Sequence, residues 1–274
     1  FLATGIELTT AMFACFQMGA VPVLIDPGMG VARMLGCIRE QRPRALIGIA
    51  KAHVLKLFAR SSFASVEISF VVGGAFPGAS AIASTKAGAD ERGRVHEARA
   101  DDVAAVLYTS GSTGPPKGVA YTHAMFGAQT HAIRDMFGIE PGEVDVACFL
   151  PFGFFSVSMG MTAVFPDMDF RFPARAKPEN VLAALDGATS AFASPALWEP
   201  FSRFLESERA RGRDVVLRGL KRVLTAGAPV RPTLHERLLR HLPDGDVYTP
   251  YGATEVRPGA FMSGRAVVDA TAAL

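Results

Sequence analysis

Residues 108–118, which read YTSGSTGPPKG, carry the densest set of chemically useful groups in the chain. They contain two Thr, two Ser, three Gly and one Lys, directly after the apolar run 103–107. Glycine lets backbone N–H groups approach an anion, hydroxyls add donors, and lysine adds a mobile positive charge. An apolar strand followed by such a loop indicates a phosphate-binding site.

This loop differs from the two common glycine-rich phosphate loops. A P-loop ends in Gly-Lys-Ser/Thr, whereas Lys117 here lies between Pro116 and Gly118, and the loop also lacks the dinucleotide pattern GxGxxG. The alternative is a flexible surface loop. The hydroxyls of Thr109, Ser110, Ser112 and Thr113 favour phosphate binding over that alternative.

Two further loops also follow apolar strands: Thr225–Pro229 (TAGAP) and Tyr251–Glu255 (YGATE). Ligands in open α/β sheets bind beyond the carboxyl ends of the strands, so these loops and the first are expected to converge on one ligand. Small residues in the TAGAP loop leave room for a flat ring, Tyr251 can stack on a base, and Glu255 can bind Mg²⁺. Without that context, TAGAP is an ordinary strand end and Glu255 a solvated surface charge.

Composition limits the class of protein. The chain has 274 residues, of which 49% are hydrophobic and 20% charged, as in a globular α/β protein. A net charge of +2 argues against nucleic acid or an anionic membrane surface as the partner. The three cysteines are far apart, which fits a reducing cytoplasm and argues against a disulfide framework or a zinc site. Gln17, Gly19 and Pro22 interrupt the apolar segment 8–25, which argues against a transmembrane helix.

Hydrophobic periodicity alternates between helical and strand patterns along most of the chain. Helices are predicted over 6–18, 31–41, 51–59, 123–137 and 178–186, from Pro195 onward, and after Pro229. Strands are predicted over 22–25, 45–49, 68–72, 103–107, 119–122, 145–150, 220–224 and 246–249. This order predicts an α/β fold with mostly parallel sheets and helices on both faces.

The remaining segments are interpreted as loops, and some residues in and around them have two readings. Residues 73–102 are predicted to be a surface loop and 151–160 a turn. Phe152, Phe154 and Phe155 either line an apolar pocket or belong to the core. His123 is either functional or partnered locally at a helix start, whereas His53, His96, His131, His235 and His241 are expected to be structural or exposed.

Four motifs resemble those of the adenylate-forming, AMP-binding enzymes, a family that includes acyl-CoA synthetases, peptide adenylation domains and luciferase. They occur along the chain in the same order as in that family. YTSGSTGPPKG resembles the phosphate-binding signature of that family, TAGAP its adenine-side loop and YGATE its Tyr-Gly-x-Thr-Glu motif. GAVPVLIDP at 19–27 resembles an early core motif. The resemblance implies that residues 1–274 are a fragment, the core of the large N-terminal domain. The small C-terminal domain with its catalytic lysine would lie outside it, so the fragment would be inactive alone.

The resemblance also implies roles for single residues. The β- and γ-phosphates of ATP would be held by Thr109, Ser110, Gly111, Ser112, Thr113, Gly114 and Lys117. Gly227, Ala228 and Pro229 would border the adenine, and Tyr251, followed by Gly252, would stack on it. Thr254 would contact the α-phosphate and Glu255 would bind Mg²⁺, so that Lys117, Thr254 and Glu255 act in catalysis.

A narrower resemblance concerns the bacterial olefin-pathway members, which comprise fatty acid–CoA ligases and β-lactone synthetases. It rests on VLIDPGMG at 23–30, FPDMDFRFPARA at 165–176 and TPYGATE at 249–255. It implies activation of a long-chain fatty or β-hydroxy fatty acid, then lactone formation or transfer to CoA, with other pathway enzymes as partners. LPFGFFSVSMG at 150–160 lacks the histidine that many members have there, and a non-catalytic nucleotide-binding module remains the alternative.

Overall fold

The computed structural model describes residues 1–2, 4–82, 95–108, 116–252 and 258–273. The chain divides into two compact units, Phe1–Phe126 and Gly127–Leu274, and each is described by itself. Both contain parallel strand pairs alternating with helices, which confirms the predicted α/β class.

The first unit has two three-stranded sheets. In chain order its elements are α1 (Ile6–Met18), β1 (Val23–Ile25), α2 (Val31–Gln41), β2 (Ala45–Gly48), α3 (Ala50–Phe58), β3 (Ile68–Val71), β4 (Ser80–Ala81), β5 (Val103–Tyr108), β6 (Gly118–Thr122) and the start of α4 (His123–Phe137). One sheet has the order β1-β5-β6, with β1 parallel and β6 antiparallel to β5. The other, β2-β3-β4, is parallel throughout.

The second unit is built on one six-stranded sheet. After α4 its elements are β7 (Val144–Ala147), α5 (Leu150–Ser158), β8 (Thr162–Val164), α6 (Pro178–Ala184), β9 (Ser190–Ala193), α7 (Pro195–Ala210), β10 (Arg222–Thr225), α8 (Pro232–Leu239), β11 (Asp246–Tyr251), β12 (Ala260–Ser263) and α9 (Gly264–Ala272). The strand order is β12-β11-β10-β9-β7-β8, and only β12 is antiparallel to its neighbour. The carboxyl ends of the other five strands therefore lie along one edge.

The core of the second unit lies where α7 and α8 pack on this sheet. Trp198, Phe201 and Leu205 recur at helical spacing on α7 and are all fully buried, and Leu234 and Leu238 do the same on α8. Each such side chain contributes roughly 1.5–3 kcal/mol by burial. The Trp198 indole also donates to the Leu224 carbonyl at 3.3 Å, which fixes α7 against β10. The helix predicted from Pro195 is confirmed.

The turn predicted over 151–160 is wrong, because residues 150–158 form α5. Proline is tolerated in the first turn of a helix, where its missing N–H needs no partner, so Pro151 does not prevent one. Phe152, Phe154 and Phe155 are 3–7% exposed and pack inside the second unit, so the core reading applies to them. The predicted loop 73–102 contains β4, and residues 83–94 lie outside the described residues.

Candidate active site

The hydroxyl-rich loop begins where β5 ends. Tyr108, the last residue of β5, pairs with Ile25 of β1, and its carbonyl accepts a hydrogen bond of 3.1 Å from the Asp26 amide. Lys117 is exposed and immediately precedes β6. The predicted phosphate-binding residues Thr109, Ser110, Gly111, Ser112, Thr113 and Gly114 lie outside the described residues. The structure therefore places the lysine and both ends of the loop.

A residue that the sequence did not single out contacts the start of this loop. The side-chain amide of Gln41, at the end of α2, donates to the Tyr108 hydroxyl at 2.7 Å. Tyr108 is 2% exposed, so its hydroxyl depends on protein partners. The two residues are 67 positions apart in sequence, and no local pattern could have linked them.

The TAGAP and YGATE loops begin side by side at one edge of the second unit. β10 ends at Thr225 and β11 at Tyr251, and the two strands pair in parallel, with Leu224 opposite Tyr248. Their carboxyl ends therefore point the same way, as the sequence interpretation of these two loops required. Thr225 and Tyr251, the first residues of the two motifs, therefore lie on the same edge of the sheet.

The TAGAP loop presents open backbone above a buried hydroxyl. Gly227 has φ of 94°, a conformation that residues with a side chain rarely adopt, and no atom lies within 4 Å of where a Cβ would be. Gly227, Ala228 and Pro229 are all exposed. The Thr225 hydroxyl is buried and has no hydrogen-bond partner within the described part of the chain. This surface is suited to a flat group lying against the backbone.

Tyr251 presents an exposed ring on a fixed backbone. The residue is 80% exposed, yet its carbonyl accepts from the Gly259 amide at 2.8 Å and it pairs with Ala260 of β12. Gly252, which follows, is also exposed. An aromatic ring held in this way can stack on a base with little loss of conformational freedom. Thr254 and Glu255 lie outside the described residues.

A buried histidine supports β11 from behind. The His235 Nε2 lies 3.3 Å from the Thr249 hydroxyl, two residues before Tyr251. Burial lowers the pKa of His235, partly offset by Asp246, so the imidazole is neutral at neutral pH. This histidine is structural, as predicted.

An aromatic stack lies at the same edge of the sheet, near the ends of β7 and β9. The Phe192 ring is stacked on those of Phe149 and Phe152, with centroids 5.6 and 4.4 Å apart. Phe149 is 40% exposed, whereas the other two are buried. The sequence interpretation missed Phe149 and Phe192, since single aromatics at strand ends give no periodic signal.

Asp145 on β7 is a fully buried carboxyl group, and no Lys or Arg pairs with it in the part of the chain that the structure describes. It accepts a hydrogen bond of 2.7 Å from the Ser156 hydroxyl of α5. Burial raises its pKa from 3.8 to about 6, and hydrogen bonds from Ser156 and Ser190 oppose that rise. Its hydrogen bond with Ser156 ties α5 to the sheet, and the free-energy cost of burying the carboxyl group rises with pH as the group ionises.

The first unit has a cavity of about 330 Å³ at the other end of its mixed sheet, away from Tyr108. Its lining includes His96, Asp102 and His123, and the His96 and Asp102 side chains are 3.9 Å apart. The centroids of the His123 and Phe16 rings are 5.8 Å apart, in an edge-to-face arrangement. Phe16 is therefore a partner for this helix-start histidine. Within the described ranges no three His, Cys, Asp or Glu side chains are placed to hold a metal ion.

Two further features are the state of the cysteines and the apolarity of the helices. Cys15, Cys37 and Cys148 are all free. In the part of the chain that the structure describes, no helix has the length and apolarity needed to cross a membrane.

Two of the relatives found by sequence comparison match nearly the whole chain at similar identity. The chain is 38% identical to an olefin beta-lactone synthetase of Xanthomonas campestris pv. campestris, over 97% of the chain and 47% of the relative. It is 40% identical to an olefin beta-lactone synthetase of Stenotrophomonas maltophilia, over 94% of the chain and 46% of the relative. The chain thus spans about half the length of these relatives.

Structural comparison and a family model agree on the fold. The chain matches a luciferase-like enzyme from Zophobas morio with a TM-score of 0.80 at 17% identity, covering 98% of the chain and 63% of that structure. It matches a long-chain-fatty-acid-CoA ligase from Archaeoglobus fulgidus with a TM-score of 0.79 at 22% identity, covering 97% and 54%. The model of the AMP-binding enzyme family matches residues 1–272, and the chain therefore belongs to this family.

Proposed function

We propose that this chain is part of an enzyme that uses ATP to convert a carboxylic acid into an acyl-adenylate, with release of pyrophosphate. The observation that carries the proposal is the parallel pairing of β10 and β11, which starts the TAGAP and YGATE loops at one edge. Membership of the AMP-binding family supports it. Residues 1–274 would form part of the large domain of that enzyme.

The nucleotide would be held by the three motif loops. The exposed ring of Tyr251 stacks on the adenine, and the open backbone at Gly227, Ala228 and Pro229, together with Gly252, borders it. The phosphates are held by residues of the hydroxyl-rich loop, namely Thr109, Ser110, Gly111, Ser112, Thr113, Gly114 and Lys117. The exposed position of Lys117 leaves its ammonium group free to reach an anionic ligand.

Glu255 would bind Mg²⁺ together with phosphate oxygens. Mg²⁺ is usually held in proteins by one or two carboxylates, the substrate phosphates and water, so a preformed cluster of three protein ligands is not required. A bound Mg²⁺ neutralises charge on the pyrophosphate leaving group. Thr254, next to Glu255, is assigned to the α-phosphate.

The first reaction step is a displacement at phosphorus. An oxygen of the substrate carboxylate attacks the α-phosphorus, and the bond from that phosphorus to the bridging oxygen breaks, so pyrophosphate leaves with the electron pair. Lys117 and the loop donors stabilise the charge that develops on pyrophosphate. Tyr251 and the TAGAP backbone hold the adenosine half, so that the α-phosphorus stays in place during the attack.

The acid would be a long-chain fatty or β-hydroxy fatty acid. Two relatives at 38% and 40% identity are olefin beta-lactone synthetases, and the partly exposed stack of Phe149 on Phe192 offers an apolar surface at the sheet edge where the TAGAP and YGATE loops begin. In the second step the β-hydroxyl oxygen attacks the acyl carbon and loses its proton to solvent. The bond from that carbon to the phosphate oxygen breaks, so AMP leaves with the electron pair and a β-lactone forms. Transfer to CoA is the competing outcome. Other olefin-pathway enzymes would be partners, and free cysteines support a cytoplasmic location.

The proposal is tested by ATP–pyrophosphate exchange in the complete polypeptide that contains this chain. We expect exchange that depends on a long-chain β-hydroxy acid and is abolished in Thr113→Val and Glu255→Gln, while Thr10→Val, on the exposed face of α1, retains it. Product analysis with and without CoA then separates the second steps. ATP binding without exchange for any carboxylic acid would indicate a non-catalytic nucleotide-binding module. Lactone formation would be contradicted by a thioester as the only product with CoA and by no product of the second step without it.

A further inference from the structure

Tyr108 and Gly118 close the strand pair on either side of residues 109–117. The two residues are directly opposite each other in the antiparallel pair of β5 and β6. A Cβ at Gly118 would lie 2.8 Å from Cζ of Tyr108, closer than packed atoms approach, so the phenol ring lies directly against the glycine backbone. Whatever holds the phenol therefore holds both ends of the loop.

The phenol is held by the last turn of α2. Gln41 donates to its hydroxyl at 2.7 Å, and Cys37 packs against its buried ring. Burial raises the pKa of Tyr108, which Gln41 opposes and the charge of Glu40 reinforces, so the hydroxyl is protonated at neutral pH. A neutral phenol can accept from Gln41 while it donates elsewhere.

The end of α2 is itself fixed by an unusual backbone conformation. Arg42, its C-cap, has φ of 48° and is the only non-glycine residue in the described ranges with positive φ. Its amide donates to the Ile38 carbonyl at 3.0 Å, and Pro43 follows. A left-handed residue followed by proline ends a helix sharply, so Gln41 has one defined position from which to reach Tyr108.

We propose that Gln41 is a positioning residue for the phosphate-binding loop. By holding Tyr108 against Gly118, it fixes the strand pair at the two ends of residues 109–117. Gln41 touches no substrate and acts only through Tyr108. The inference rests on the proposed function for its effect on ATP, whereas its effect on the ends of the loop does not depend on that function.

The first test measures kinetics in the complete polypeptide. Gln41→Leu keeps the size of the side chain but removes the donor, and we expect KM for ATP to rise about fivefold, the effect of one hydrogen bond, with KM for the carboxylic acid unchanged. In Gln41→Glu the carboxylate can accept a hydrogen bond from the phenol instead, and this variant is expected to restore KM for ATP to within twofold. Gln17→Leu, an exposed glutamine on α1, is the matched control and should leave both constants unchanged.

The second test measures hydrogen exchange without nucleotide, in peptides covering β5 and the start of β6. We expect faster exchange at Tyr108 and Gly118 in Gln41→Leu than in the parent protein and Gln17→Leu. If the parent protein catalyses pyrophosphate exchange but Gln41→Leu changes neither KM for ATP nor hydrogen exchange, the inference is wrong and the proposed function stands. If hydrogen exchange changes but no protein catalyses the reaction, the proposed function is wrong and the anchoring role stands.

Discussion

Asp145 shows how one buried residue makes the stability of the molecule depend on pH. Its carboxyl group is fully buried, and none of the ion pairs within the described ranges includes it. The Ser156 hydroxyl offsets part of the cost of charging it, yet its pKa is still raised to about 6. The folded protein therefore holds this proton at a pH where the unfolded chain has lost it.

Asp145→Asn is expected to remove this pH dependence. Because the folded pKa lies above the unfolded value of 3.8, the contribution of Asp145 to stability is greatest below pH 4 and is lost as the pH rises through about 6. The loss amounts to roughly 3 kcal/mol, so the variant should be more stable than the parent at pH 8 and should lose that advantage at pH 4. Urea unfolding at both pH values measures it. Asp186→Asn, an exposed carboxylate, is the control and should change stability equally little at both.

Tyr251 is expected to act through its ring rather than its hydroxyl. In Tyr251→Phe the KM for ATP should be nearly unchanged, whereas Tyr251→Ala should raise it about tenfold, because stacking on a base contributes roughly 1–3 kcal/mol. The ring is 80% exposed, so neither variant should lower the unfolding midpoint. Equal KM values in all three proteins would show that the adenine does not stack on this residue.

At the scale of elements, a buried ion pair joins three pieces of the second unit. Arg222 on β10 pairs with Glu143, which precedes β7, and the two side chains are 7% and 9% exposed. The Nη1 atom of Arg222 donates to the Phe137 and Gly138 carbonyls at 3.3 Å, at the end of α4. The pair therefore fixes the base of β10, three residues before the TAGAP loop begins.

Removing one partner of this pair should be more damaging than removing both. Arg222→Met leaves the buried Glu143 with only the half-exposed Lys221, 3.6 Å away, as a cationic partner, and is expected to destabilise the protein by about 3 kcal/mol. Adding Glu143→Gln should recover part of that loss, because no buried negative charge then remains. Urea unfolding of the single and double variants measures the coupling. Arg44→Met, which breaks the exposed pair with Glu67, is the matched control and should have almost no effect. Additive losses would contradict this account.

The elements also show why sequence reasoning succeeded in some places and failed in others. Helices with a clear apolar face, such as α7 and α8, were predicted because periodicity alone specifies which side is buried. β9 was missed because Ser190–Ala193 contains no β-branched residue, although all four residues are buried and the strand lies between β10 and β7. α5 was predicted to be a turn because its proline and glycine favour one. It is a helix because the tertiary packing of its phenylalanines outweighs that local preference.

At the scale of the molecule, the order of the motifs specified the family before any contact was known. The three loops could be placed at strand ends because each follows an apolar run, and the structure puts two of them at one edge. The residues that hold those loops were not predictable in the same way. Gln41 reaches Tyr108 across 67 positions, and His235 reaches Thr249 from a different element. Such contacts depend on the fold as a whole and leave no local signal.

Nucleotide binding should stabilise the complete polypeptide as a whole, and part of that gain should depend on Mg²⁺. A ligand that binds only the folded state at 100 times its Kd stabilises it by about 2.7 kcal/mol, so saturating ATP with Mg²⁺ should raise the unfolding midpoint by several degrees. Chelating Mg²⁺ should remove part of the rise. In Glu255→Gln, ATP should give the same midpoint with and without Mg²⁺, since the carboxylate assigned to the metal is gone, whereas Glu236→Gln on α8 should behave like the parent. A Glu255→Gln protein that still gains stability from Mg²⁺ would show that the metal is held elsewhere.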